Sequence, residues 1–238
     1  MERTTVPFYQ HHILTTAPRT APGLAHQLLT THAASGHLFG VFIPQIGLSA
    51  NHVVLITAFP DEQAAHATNL LANIQAGIER HEFWHADPRP VPDDKFPETE
   101  GFFSHRWFDI ADASWPRFRE LSVTAWDNFE GVHDNRVIGF WRSRTPTSPG
   151  VTRIWLMAWY KDLAAWENSR WYLKGDRPDA AQAYGNFRAR SALNLDTAVS
   201  LLPPRHLSRC ASASRLGLGD HITVRSPASE LRPTESTP

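Results

Sequence analysis

Two stretches of this chain, about a hundred residues apart, carry the same local pattern. Leu55-Ile56-Thr57-Ala58-Phe59-Pro60-Asp61 matches Leu156-Met157-Ala158-Trp159-Tyr160-Lys161-Asp162, and each apolar run ends in an Asp that precedes an Ala-rich helical stretch. Upstream, Leu38-Phe39-Gly40-Val41-Phe42 matches Val137-Ile138-Gly139-Phe140-Trp141. The separations are 101 residues from Leu55 to Leu156 and 99 from Leu38 to Val137, so the register holds. Solenoid repeats have periods of roughly 20–50 residues, so this length points to a duplicated domain. Function is then expected in a cavity made by two like halves.

Hydrophobic alternation and turn residues give each half one order: strand, helix, strand, strand, helix, strand. In the first half the strands are Phe8 to Thr15, His37 to Ile43, Val53 to Phe59 and Phe83 to Ala86. The helices are Pro22 to Ser35 and Glu62 to Gln75, the second with Asp61 as its N-cap. In the second half the strands are Phe102 to Ile110, Arg136 to Ser143, Arg153 to Lys161 and Thr197 to Leu202. Its helices are Ser114 to Glu130, with Ser114 as N-cap, a stretch from Leu163 to Leu173 after Asp162, and Ala180 to Leu193. This is the ferredoxin-like order. One copy makes an open sheet with one face covered by helices, and the other face must be buried. The predicted fold class is therefore α+β: tandem ferredoxin-like repeats closing into a pseudo-dimeric α+β barrel. The expected divisions are a first repeat at 1–92, a Pro- and acid-rich connector at 93–100, a second repeat at 101–206 and a disordered tail at 207–238.

The net charge of −1 provides no field to attract nucleic acid or an anionic membrane. A single cysteine, Cys210, excludes an intrachain disulfide and a Cys-based zinc site. No signal peptide is evident at the N-terminus, and no apolar run approaches the roughly 20 residues that span a bilayer. The expectation is a soluble, cytoplasmic protein. Nine Trp occur, eight of them from Trp107 to Trp171. Most are expected in a core, where aromatics bury the most area, and a few on the wall of a pocket.

The second half resembles the NIPSNAP-like branch of the dimeric α+β barrel proteins. The residues that carry the resemblance are His105-Arg106-Trp107-Phe108, Leu121-Ser122, Ala125-Trp126, Phe129-Glu130 and Gly139-Phe140-Trp141-Arg142. Leu163-Ala164-Ala165-Trp166-Glu167 and Ser169-Arg170 continue it, and Arg89-Pro90 is similar at the end of the first repeat. It covers Gly101 to Pro204 well, Phe8 to Pro90 more weakly, and not the tail. What it implies is mostly fold, with a pocket between a sheet and its helices. Relatives in the wider superfamily include cofactor-independent oxygenases, isomerases, cyclases and haem enzymes.

On this basis the expected function is a small-molecule enzyme acting on an apolar or aromatic metabolite, oxygenase-, isomerase- or cyclase-like, with no cofactor. His105 is the candidate acid/base, since imidazole titrates near neutral pH. Arg142 is the candidate anchor for a carboxylate or carbonyl oxygen. Trp107, Asp109, Trp126 and Trp159 are the candidate substrate-binding residues. The alternative is a non-catalytic ligand-binding or protein-interaction module, and the deciding observation is whether His105 projects into a closed cavity. Partners are expected to be a small-molecule ligand, with no nucleic acid and no membrane, and a homodimer stays open.

Two lesser alternatives remain. A haem barrel needs an axial His over a flat cavity. A zinc protease is suggested by His81-Glu82-Phe83-Trp84-His85, an H-E-x-x-H match. On a helix those histidines would share a face about 6 Å apart. In a strand they lie about 13 Å apart, too far for one zinc. The repeat puts them in a strand, so no metal is expected.

Overall fold

The structure is a computed structural model, and it describes residues 7–32, 35–91, 100–130, 134–170 and 181–204. The first half runs β1 (Phe8–Thr15), α1 (Ala21–His32), β2 (Leu38–Phe42), β3 (His52–Phe59), α2 (Glu62–Ala67) and β4 (Gly77–Ala86). The second runs β5 (Phe102–Ala111), a 3-10 turn (Asp112–Ser114), α3 (Trp115–Glu130), β6 (Asn135–Ser143), β7 (Val151–Tyr160), α4 (Leu163–Asn168), α5 (Ala181–Ser191) and β8 (Asn194–Leu202). The tail and most of the connector lie outside the described residues.

One eight-stranded antiparallel sheet contains both halves, in the order β2-β3-β1-β4-β6-β7-β5-β8. Each half has the ferredoxin-like strand order, and the two follow one another across the sheet. The β4·β6 seam pairs Trp84 with Ser143, His85 with Arg142 and Ala86 with Trp141. The far edges also meet, through bridges Phe42↔Pro204 and Ile46↔Leu201. In both places the fourth strand of one half meets the second strand of the other, or the segment just after it, and the sheet closes into a barrel.

The two halves also match in local detail. Asp61 and Asp162 cap α2 and α4, their carboxylates accepting from Ala64 N at 2.8 Å and Ala165 N at 2.7 Å. Each removes one orphan donor from a first turn. The pairings of β2 with β3 and of β6 with β7 both shift register just before a glycine, Gly40 and Gly139. A Cβ on Gly139 would fall 1.9 Å from the Trp141 ring, so glycine there gives the indole its place in the core.

Several elements differ from expectation; α4 ends at Asn168 and β8 begins at Asn194. The strand predicted at Phe83 to Ala86 is the end of a longer one. Its first residues, Gly77 to Glu79, are exposed and lack apolar alternation, which hid them. α2 stops at Ala67 and not Gln75. α3 is preceded by a 3-10 turn that includes Ser114.

Alternation along each strand divides the apolar residues between two surfaces. Inside the barrel, Tyr9, Phe42, Trp84, Phe103, Trp107, Trp141, Trp155 and Met157 join one buried cluster with residues from both halves. Outside, α1 packs on Leu14, Val41, Val53 and Leu55. On the other half, Phe118 and Trp126 of α3 pack with Phe108, Phe140 and Ile154.

Candidate functional site

The six predicted site residues fall on two sides of the sheet. His105, Trp107, Asp109 and Trp159 alternate toward the barrel interior, while Arg142 and Trp126 lie on the helix side.

His105 is 1% exposed. Phe42 and Trp155 pack against its ring, with centroids 4.9 and 5.4 Å away. His11 faces it at 6.2 Å. In the sheet His11 pairs with Ile56 and His105 with Met157, and Ile56 and Met157 are counterparts in the repeat. The two histidines are therefore equivalent residues meeting inside the barrel. Burial pushes the His105 pKa down to about 3 and His11 well below its ordinary value. An imidazole held neutral and enclosed by rings has no route to a ligand, so the acid/base role expected of His105 does not fit its surroundings.

The other interior candidates are committed to packing or pairing. Trp107 stacks on Trp155 at 5.5 Å, and Trp155 on Trp141 at 4.1 Å. Asp109 receives both Nε and Nη2 of Arg153, at 2.7 and 2.8 Å, and Arg153 also reaches Glu82. Trp159 donates Nε1–H to the Glu100 carbonyl at 3.0 Å.

Arg142 sits on the opposite face. Its guanidinium lies 5.5 Å from the Trp115 ring and donates to Thr152 Oγ1 at 3.5 Å. The sheet separates it from His105, so the two cannot hold one substrate between them. Arg142 pairs with Ile154 of β7, after a register shift in β6 between Val137 and Gly139, and this sets the face it takes.

The H-E-x-x-H match lies within β4. His81 stacks on His12 at 4.1 Å, Glu82 pairs with Arg153, and His85 meets Phe8 edge-on at 4.8 Å. The three side chains serve three different contacts.

A cavity does exist, under the helices of the second half. Its inner part, about 50 Å³, is walled by Ser104, Arg106, Leu156 and Ala158 from the sheet and by Trp126, Phe129, Phe187 and Arg190 from α3 and α5. An outer part of about 420 Å³ shares Arg106, Phe187 and Arg190 and adds Phe108, Leu195, Asp196 and Thr197. Of the six predicted residues, Trp126 alone stands on this wall.

Arg190 is 7% exposed. It lies over Phe108 and Phe187, each at 5.1 Å, and donates from Nη1 to Ser122 Oγ at 3.5 Å. Arg106 is half-buried and has no hydrogen bond or ion pair among the described residues. The Trp126 Nε1–H is buried without an acceptor among them. Sequence reasoning missed both arginines. The available signals were the alternation that turns Arg106 away from His105, and the spacing of Phe187 and Arg190 one turn apart on a helix.

Among the described residues neither part of the cavity has a histidine on its wall, and the inner part is too small for a macrocycle. The residues present do not fit a haem with an axial His.

Comparison with known proteins bears on the fold. No family model matches the chain, and no curated protein sequence matches it. Among solved structures, it is similar to an anthrone oxidase-like protein, with a TM-score of 0.62 at 9% identity over 86% of this chain and 93% of that one. A provisionally assigned monooxygenase from Fusobacterium nucleatum gives 0.56 at 10% identity, over 85% and 94%. A variant chlorite dismutase from Candidatus Nitrospira defluvii gives 0.54 at 9% identity, over 89% and 96%. The fold is that of the dimeric α+β barrel proteins. At these identities the likeness extends to architecture and no further. Among the described residues no helix is long and apolar enough to cross a membrane.

Proposed function

We propose that the protein is a small-molecule enzyme acting on an apolar or aromatic metabolite, oxygenase-like in type, and that its site is the cavity beneath α3 and α5. The observation that carries this reading is the wall itself: Trp126, Phe129 and Phe187 for an apolar body, with Ser104, Arg106 and Arg190 as polar groups at fixed places. Ligand sites are usually apolar with a few convergent polar groups. The likeness to an anthrone oxidase-like protein and to an assigned monooxygenase adds support by analogy of fold. We further propose that residues 101–206 are a NIPSNAP-like repeat joined to a diverged first copy at 1–92, and that the protein works in the cytoplasm.

The test is oxygen uptake and product analysis with a panel of hydroxylated polycyclic aromatics, comparing the natural chain with Phe187→Trp, which narrows the cavity. Turnover that falls with the substitution supports the reading. Saturable binding with no turnover across the panel favours a non-catalytic binding module. One observation already leans that way: the histidine best suited by type to proton transfer is shut inside the barrel.

A further inference from the structure

We infer that the ligand of this cavity carries a carboxylate or equivalent oxyanion, held by the Arg106 guanidinium at the junction of the inner and outer parts. The inference rests on the cavity being the binding site and adds the chemical class of what it holds.

Charge on the wall comes first. Arg106, Arg170 and Arg190 line the inner part, and among the described residues no carboxylate does. The outer part adds one acid, Asp196, which is exposed at the rim and accepts from the backbone amide of Thr197. The three guanidiniums differ in what already holds them. Arg170 lies over Trp166 and pairs with Glu167 at 3.7 Å. Arg190 is caged by phenyl rings and bound to Ser122. The Arg106 side chain has neither an acid nor an acceptor among the described residues, although it is partly buried. A partly covered guanidinium with no protein acceptor among the described residues is open to a bidentate carboxylate, which would bind it with charge-assisted hydrogen bonds.

A second observation points to the same kind of atom. Trp126 faces this cavity and is 3% exposed, and its Nε1–H has no acceptor among the described residues. Indole is a donor only, so the partner it lacks must be an acceptor, as an oxyanion is. Around these donors the wall is aromatic and aliphatic, which suits a ring system as the rest of the ligand.

The first half lacks the equivalent. Arg106 pairs with Leu156 and His12 with Leu55, which are counterparts in the repeat. At the Arg106 position the first half has His12, stacked on His81 and 3% exposed. One ligand per chain is therefore expected.

The experiment is calorimetric titration of the full chain with 1-naphthoate and with its neutral isostere 1-naphthamide, at low and high salt. The expected result is 1:1 binding, with the acid about tenfold tighter than the amide at low salt and the gap shrinking as salt screens it. Arg106→Gln should abolish the gap by weakening the acid about tenfold more than the amide. Arg106→Lys should retain part of it, since charge remains without the planar fork. Melting curves of both variants establish that they fold. Acid and amide binding equally, or a gap that survives in Arg106→Gln, overturns the anion inference while the cavity reading stands. Failure of both probes to bind removes the cavity reading together with it.

Discussion

The two halves put opposite solutions at one position of one fold. In the first, the outer face of β1 is sealed: His12 lies flat on His81 beneath the covering layer, and α1 packs closely on the neighbouring strands. In the second, the matching face of β5 holds Arg106, and α5 leaves a cavity above it. The strands, caps and register shifts are the same, so they do not decide which half leaves a cavity. A few side chains on the helix-facing surface do. The interior, in contrast, treats the halves alike, because His11 and His105 meet there as equivalents.

The sharpest way to separate the halves is acid. His12 and His105 are held neutral, each with a pKa of about 3, mainly by burial. Their unfolded counterparts titrate near 6.5. A folded pKa lowered below the unfolded one means that the unfolded state takes up protons first as pH falls. Stability is thus full above about pH 6.5 and is lost as pH falls toward 3. At pH 5 each of the two histidines should have cost about 2 kcal/mol relative to neutral pH. Burial also lowers His11, His32, His81 and His85, all in the first half, against His105 in the second. Hydrogen exchange at pH 5 should therefore show β1 and β4 opening before β6 and β7. Equal protection in both halves would break the contrast.

Gly139→Ala comes next in size. The added methyl group meets the Trp141 ring, which is stacked on Trp155 and meets Tyr9 edge-on. Overpacking of this kind costs about 3 kcal/mol, read as a drop in melting temperature. Because the cluster draws on both halves, the loss should appear as one cooperative transition. Two separate transitions would mean that the halves fold independently.

The smallest effect tests what the halves share. Asp61→Ala and Asp162→Ala each remove one N-cap bond, and each should cost about 1 kcal/mol in denaturant unfolding. A clear inequality would show that the short helices contribute differently to their halves.

Much of the fold was legible in the sequence because strands and caps are local. Alternation marked Phe8 to Thr15 as a strand, and an Asp before an Ala-rich run marked both caps. The repeat supplied the topology, since matched segments must occupy matched places. Less of the site was legible. Alternation gives the direction of His105 but not what it meets, and Phe42 and His11 reach it from the other half of the chain. Trp84, Trp141 and Trp155 are core, as most Trp were expected to be, and Trp107 and Trp159, expected on a pocket wall, pack with them inside the barrel. The cavity depends on how far α5 stands from β5, a distance that no run of residues encodes locally. Arg106 was visible only as the neighbour of a more conspicuous histidine.

The β4·β6 seam joins parts of a single chain. A barrel assembled from two identical chains depends on concentration and falls apart on dilution, whereas here each half sees the other at a local concentration fixed by the connection. A substitution in a symmetric pair is also made twice, so an arginine suited to one face would appear on both. In this chain a change at Arg106 leaves His12 as it was. One side can therefore be specialised for a guest while the other is kept as ballast.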